Sequence, residues 1–182
     1  RTRPPRAALL PAVGGVALVA VTATGLAYTE SDERTVAELA RVLQVDRAAI
    51  RDAAWADNGP GWIALLMDSA EEVLALEPAR DHPSRVDVGV IGPYPEGSDV
   101  AFELRVFFSD HRGGLLEDPV TGSFNASAAQ WLFASGRARS AYVAAQGTRL
   151  GRTGRIQVDR DADGAVWIGG RTETLFSGKT LF

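Results

Sequence analysis

Residues 117–123 read EDPVTGS and bring together groups that could hold an anion. The backbone N–H groups of Gly122 and Ser123, with the Ser123 hydroxyl, are donors that suit a carboxylate or a phosphate. Asp118 lies just before them, and a loop that bound the anion would present this carboxylate to it. The segment therefore predicts an anion site with an acidic side chain beside it.

A purely structural interpretation of the same residues stays open. Asp118 could cap a helix that has Pro119 at its first position, which is a frequent pairing. Gly122 would then lie within the first turns, where glycine costs about 1 kcal/mol relative to alanine. A helix start at Thr121 or Ser123 fits better and leaves Asp118 in the loop. No glycine-rich nucleotide-binding pattern accompanies the segment.

The residues after this loop predict a buried helix. They read FNASAAQWLF at 124–133, with only small or amide side chains between the apolar ones. A helix that is apolar all round is normally buried on all sides. We therefore expect a central helix wrapped by a sheet, with the partial positive charge of its N-terminus directed at the loop.

The remaining elements follow an α+β pattern rather than a regular βαβ repeat. Ser31 or Asp32 could cap a helix through TVAELARVL, a second short helix is predicted after Asp46 through RAAIRDAAWA, and Ser69 has capping-box spacing to Glu72. Turns are predicted at NGPG (58–61) and DADG (161–164). Strands are predicted at 62–67, 86–91 and 100–108, and later at AYVAAQ, RIQVDR, AVWIGG and TETLFSG.

Residues 1–28 allow two interpretations. A basic start, RTRPPR, precedes the apolar run AALLPAVGGVALVAVTATGLAY, as in a signal peptide or a membrane anchor. A proline and two glycines interrupt the run, and β-favouring residues alternate from Val16 to Val21. We therefore favour a pair of strands with a turn at 24–25. Because the chain begins with Arg1, we expect it to be processed, trimmed or part of a longer protein.

Composition excludes several functional classes. The 182 residues carry a net charge of −4, which does not match a nucleic-acid-binding surface. There is no cysteine, which excludes disulfides and thiolate metal sites and fits a cytoplasmic location. His82 and His111 are far apart in the sequence, and zinc normally takes three or four protein ligands. We therefore predict no metal site.

Four segments resemble the motifs of the PhzF (phenazine biosynthesis-like) family. In chain order they are RVFF at 105–108, EDPVTGS at 117–123, QGTRLGRTGRI at 146–156 and VWIGGRT at 166–172. The resemblance is specific over roughly 100–178 and looser over 12–99. It implies a fold like that of diaminopimelate epimerase, in which two lobes each curl a sheet around a central helix and the active site lies between them.

The resemblance also implies an isomerase that uses no cofactor and moves a proton between carbon atoms of a small carboxylate-bearing substrate. Asp118 matches the aspartate of the motif, as a catalytic proton-transfer or substrate-orienting group. Thr121, Gly122 and Ser123 would then bind the substrate carboxylate.

The later motif is expected to be mainly structural. Gln146, Gly147, Arg152 and Gly154 match it, and Arg152 is expected to brace a loop rather than to contact substrate.

The first half of the family's pattern, with its principal catalytic glutamate and a Gly-His motif, has no counterpart in this sequence. We therefore expect residues 1–30 to be the last strands of an incomplete N-terminal lobe and residues 31–182 to form the C-terminal lobe. A separate N-terminal chain or a homodimer partner would complete the site. The alternative is a non-catalytic anion-binding or interaction domain derived from the same fold.

Overall fold

The computed structural model describes residues 7–13, 16–21, 32–171 and 175. Within the N-terminal apolar run, β1 (Ala7–Val13) and β2 (Val16–Val21) pair antiparallel in a sheet of their own. Strands in this run are thus confirmed, although β2 pairs with the segment before it. The turn predicted at 24–25 lies outside the described residues, as does most of the predicted strand TETLFSG. No helix in the described ranges is long and apolar enough to cross a membrane.

The α-helices of the described ranges are α1 (Glu33–Leu43), α2 (Ala70–Ala75) and α3 (Gly122–Ala134). The other strands are β3 (Asp52–Trp55), β4 (Ile63–Leu66), β5 (Asp87–Pro93), β6 (Phe102–Ser109), β7 (Leu115–Asp118), β8 (Tyr142–Gln146), β9 (Gly154–Arg160) and β10 (Val166–Gly169). Both predicted turns are confirmed, since 58–61 connects β3 to β4 and 161–164 connects β9 to β10.

Strands β3 to β10 form one mixed sheet in the order β10-β9-β8-β6-β5-β4-β3, with β7 pairing β6 off this path. One edge of β6 is shared, because its first residues pair parallel with β8 and its last residues pair antiparallel with β7. The chain therefore leaves this edge at the end of β7, forms α3, and returns to the same edge as β8. This path fixes the start of α3 beside the sheet.

Helix α3 is the central helix of the curled sheet, as predicted. Nine of its thirteen residues are buried, among them Phe124, Leu132 and the polar Asn125. Phe124 lies on Gly89 of β5 so closely that a Cβ at position 89 would stand 2.1 Å from the Phe124 ring. Trp62 meets the same ring edge to face, with 5.9 Å between centroids. The α+β architecture of a curled sheet around an apolar helix is confirmed.

The opposite face of the sheet carries α1 and α2. The N-cap of α1 is Asp32, whose carboxylate accepts the Thr35 backbone N–H at 3.0 Å. Ser69 caps α2 by accepting the Glu72 N–H at 3.2 Å, as its spacing predicts. The apolar side chains of both helices belong to a second cluster with Val88 and Phe107 of the sheet.

The prediction of a helix after Asp46 is wrong for most of the segment. Asp46 caps only one 3₁₀ turn, Arg47–Ala49, and the chain then continues as β3. Antiparallel pairing of β3 with β4 provides backbone hydrogen bonds that a local helix would lose. Helix propensity is a weak preference that such tertiary pairing overrides.

Candidate active site at the start of helix α3

Asp118 is the last residue of β7, and α3 begins at Gly122 with Thr121 as its N-cap residue. A start at Thr121, as the N-cap, is confirmed, and Asp118 has no capping role. Asp118 was expected in the loop but ends a strand, because the chain pairs with β6 up to this residue. The strand β7 was not predicted from the sequence, since it is short and begins directly after Gly114. Pairing of Asp118 with Val106 of β6 fixes where the carboxylate leaves the sheet.

The side chain of the N-cap residue Thr121 makes no capping hydrogen bond to α3. The Thr121 hydroxyl would normally do so, but it donates to Asp118 Oδ2 at 2.6 Å. The N–H groups of the first helical turn have no acceptor within a helix. Gly122 is exposed, and a Cβ placed on it would meet no atom within 4 Å. Among the described residues the N–H groups of Gly122 and Ser123 have no hydrogen-bond acceptor, and the helix start faces open space at Gly122.

A buried amide holds this arrangement together. Gln146 is fully buried, and its Oε1 accepts the Thr121 backbone N–H at 3.1 Å and the Asn125 side-chain N–H at 2.8 Å. Its Nε2 donates to the Asp118 carbonyl at 2.9 Å and to the Thr121 hydroxyl oxygen at 3.0 Å. Because Gln146 occupies a lone pair of that hydroxyl, the hydroxyl proton is directed at Asp118.

Two glycines of the later motif let the loop approach β8 and β9. Gly147 has φ +85°, and a Cβ there would lie 2.6 Å from the Pro119 carbonyl oxygen. At Gly154 a Cβ would meet the Gln146 carbonyl oxygen at 2.4 Å. The structural role predicted for this motif agrees with these contacts. Arg152 was expected to brace a loop, and it does so through its backbone. Its N–H donates to the Gly147 carbonyl, whereas its side chain is exposed.

Ser123 contacts a loop that is distant in sequence. Its hydroxyl oxygen accepts the Trp62 indole N–H at 3.0 Å, and its carbonyl accepts the Asn58 side-chain N–H at 2.9 Å. The turn at 58–61 was predicted, but neither Asn58 nor Trp62 was expected at the site, because contacts across more than sixty positions leave no local pattern.

Arg105, the first residue of RVFF, and Glu117, the first residue of EDPVTGS, form a largely buried ion pair away from α3. The guanidinium binds both carboxylate oxygens, at 3.0 and 2.8 Å, and also donates to the Leu76 carbonyl at the end of α2. Successive residues of a strand point to opposite faces, so Glu117 is directed to α2 while Asp118 is directed to α3. This pair ties β6, β7 and α2 together.

The two histidines are closer together than their sequence positions suggest. His82 and His111 line one cavity of about 300 Å³. The His82 Nε2 lies 3.5 Å from a Glu38 carboxylate oxygen, and its Nδ1 faces the Ser84 backbone. In the parts of the chain that are described, no three acidic or histidine side chains could hold a metal ion together.

The predicted residues thus meet in one place. Asp118, Gly122 and Ser123 surround the uncapped start of α3, so the arrangement can bind an anion with a carboxylate beside it. Thr121 is buried, and both its hydroxyl and its N–H are engaged within the protein. Its contact with substrate stays a prediction.

The model of the family described as "Phenazine biosynthesis-like protein" matches residues 13–178. A curated relative, antisense-enhancing sequence 1 of Schizosaccharomyces pombe, is 29% identical over 136 residues, covering 69% of this chain and 45% of the relative.

Solved structures show the same fold. A PhzF-family protein of Bacillus anthracis superposes with a TM-score of 0.68 at 16% identity, covering 91% of this chain and 60% of that one. A predicted epimerase of Pseudomonas aeruginosa gives 0.64 at 21% identity, covering 91% and 61%. The chain thus spans less than two thirds of the length of these relatives.

Proposed function

This chain belongs to the phenazine biosynthesis-like protein family, and from that premise we propose that it is the C-terminal part of an isomerase. The reaction would move a proton between carbon atoms of a small carboxylate-bearing substrate, without a cofactor. The resemblance of EDPVTGS to the family motif suggested this reaction, and one observation in the fold supports it most. Helix α3 starts without a cap beside the fixed carboxylate of Asp118.

The uncapped start of α3 suits the substrate carboxylate. The N–H groups of Gly122 and Ser123 have no acceptor in the helix, and the helix dipole adds partial positive charge there. An anion at this place would complete the hydrogen bonding of the first turn. Phosphate would satisfy the same donors, but the family motif favours the carboxylate.

Asp118 suits proton transfer because only part of its carboxylate is occupied. Oδ2 accepts the Thr121 hydroxyl, whereas Oδ1 finds no hydrogen-bond donor among the described residues. A general acid or base needs a free oxygen within reach of the carbon-bound proton and a fixed orientation. Through Thr121, Gln146 supplies that orientation.

A second polypeptide segment would complete the site. The chain spans 60% of its B. anthracis relative, and the family's principal glutamate and Gly-His motif have no counterpart in it. We propose that a separate N-terminal chain or a second copy supplies the missing groups on the open side of α3. Native mass spectrometry of the purified assembly would detect either one, because it gives the mass of the whole complex as well as that of each chain.

Solvent deuterium incorporation tests the proposed reaction. The chain and the partner that completes its site would be incubated in D₂O with a panel of amino acids and small unsaturated acids. The mass of each acid would then be measured by mass spectrometry. The complete assembly should add deuterium to at least one acid. Asp118→Asn should slow this exchange by about 100-fold or more, which is the usual contribution of one acid–base group.

Asp163→Asn is the matched control, because this carboxylate lies in the exposed turn between β9 and β10. It should exchange at the wild-type rate. Wild-type exchange by the Asp118→Asn variant would remove Asp118 from the reaction. An assembly that binds carboxylates at α3 but exchanges no acid of the panel would favour the non-catalytic anion-binding domain.

A further inference from the structure

We propose that Trp62 is a positioning residue of this carboxylate site, acting through Ser123 and not through contact with the substrate. Its indole N–H would orient the Ser123 hydroxyl so that the hydroxyl proton points at the bound carboxylate. This role rests on the proposed function, and it assigns to the site a residue outside the EDPVTGS segment.

The hydroxyl of Ser123 has one proton to donate and two lone pairs to accept with. The Trp62 indole N–H, which can only donate, occupies one lone pair at 3.0 Å. In the part of the chain that is described, the Ser123 hydroxyl proton finds no acceptor. Serines deeper in a helix donate to the carbonyl four residues back, as Ser127 does to Ser123 at 3.2 Å, but a first-turn serine has no helical carbonyl there.

The direction of the indole N–H is fixed by packing. Trp62 is 6% exposed, and its ring meets the Phe124 ring edge to face with an interplanar angle of 73°. Phe124 is itself held against Gly89 of β5. A rotation of the indole would break the hydrogen bond and open a gap beside Phe124, so Trp62 keeps one orientation.

The loop that carries Trp62 is fixed to α3 at a second point. The Asp57 carboxylate accepts the Gly59 and Gly61 N–H groups, both at 2.7 Å, which shapes the loop. Asn58 then donates to the Ser123 carbonyl at 2.9 Å. Both the backbone and the hydroxyl of Ser123 are thus positioned by this one loop.

This geometry determines whether the Ser123 hydroxyl presents its proton or a lone pair to a bound anion. A serine hydroxyl that turned a lone pair to a carboxylate would repel it, whereas one that donates its proton attracts it. With one lone pair held by Trp62, the proton is left for the open side, next to the free N–H groups of α3. The indole therefore makes Ser123 a donor for the substrate.

A double-mutant cycle tests this role, with sodium acetate as the carboxylate probe and the backbone amide signals of positions 122 and 123 as the readout of affinity. Ser123→Ala should weaken acetate binding about tenfold, and Trp62→Phe about three- to tenfold, because each removes or misdirects one hydrogen bond to a charged group. In the Ser123→Ala background, Trp62→Phe should change the affinity less than about twofold, since no hydroxyl remains to be oriented.

Trp167→Phe is the matched control, because it removes an indole N–H bonded to Asp161 in the turn between β9 and β10. It should leave acetate binding unchanged. If Trp62→Phe does not fold, a benzothienylalanine at position 62 keeps the bicyclic shape without the N–H and serves in the same cycle.

The outcomes separate this inference from the function on which it rests. Wild-type protein that shows no acetate response at Gly122 and Ser123 would overturn the carboxylate site and the role of Trp62 with it. If wild type binds acetate and Trp62→Phe weakens binding equally with and without the Ser123 hydroxyl, the indole acts only on packing and the positioning role is refuted. An unchanged affinity in Trp62→Phe refutes it as well.

Discussion

Gln146 is the residue on which the geometry beside α3 depends most. Its amide bonds to the Thr121 N–H and the Asn125 side chain, both buried, and to the part-buried Asp118 carbonyl. Gln146→Leu keeps much of the volume but leaves these groups unpaired. We expect the free energy of unfolding to fall by about 2–4 kcal/mol, since each unpaired buried group costs about 1–3 kcal/mol.

Urea denaturation measures this loss, and Gln157→Leu is its control. Gln157 is also a glutamine of a sheet strand, but it is exposed on β9. A surface substitution of this kind should stay within about 0.5 kcal/mol. Equal stability of the two variants would show that the buried amide does not hold the loop.

The sequence predicted those residues of the site that lie within one short segment, but not their partners elsewhere in the chain. Asp118, Gly122 and Ser123 belong to one short motif, so their common position followed from it. That Thr121 turns its hydroxyl to Asp118 depends on Gln146, and the partners of Ser123 come from the β3–β4 loop. Such contacts depend on the tertiary fold, and the spacing of residues did not indicate them.

Among the elements, α3 is held at its start by the contact between Phe124 and Gly89. A Cβ at position 89 would lie 2.1 Å from the Phe124 ring, so Gly89→Ala must displace the ring or the strand. We expect a loss of about 1–3 kcal/mol or more, as in other overpacked cores. Phe124→Leu combined with Gly89→Ala should cost less than the sum of the two single changes, because the smaller side chain relieves the clash.

Gly122→Ala is the matched control in thermal denaturation, because a Cβ at this position of α3 meets no atom within 4 Å. Its melting temperature should not fall. Additive costs of Gly89→Ala and Phe124→Leu would show that the close contact does not fix the helix.

The elements differ in how well their sequence patterns predicted them. The apolar run of α3 and the capping residues Asp32 and Ser69 carry strong local signals, and all were found where expected. The segment of β3 carries helix-favouring alanines, yet pairing with β4 decides its conformation. The strand β7 is too short to show an alternating pattern.

At the scale of the whole molecule, the described sheet forms one curled lobe around α3, and the start of that helix lies open. Apolar side chains flank the opening, since Leu116 of β7 is 47% exposed and Val120 of the loop is 46% exposed. Exposed apolar surface beside a polar site is typical of a surface that another protein chain or domain covers. This agrees with the proposal that a second lobe closes over Asp118. The assignment of residues 1–30 to that lobe, and the cytoplasmic location, stay predictions.

Binding of a carboxylate by the open start of α3, next to Asp118, can be measured with the ¹⁵N-labelled chain. Its backbone amide signals would be recorded during an acetate titration at constant ionic strength. We predict saturable shifts of the Gly122, Ser123 and Phe124 amides and none at Gly136, beyond the other end of the helix. Shifts that are absent at the start of α3, or that are equal at Gly136, would show that this helix start does not bind a carboxylate.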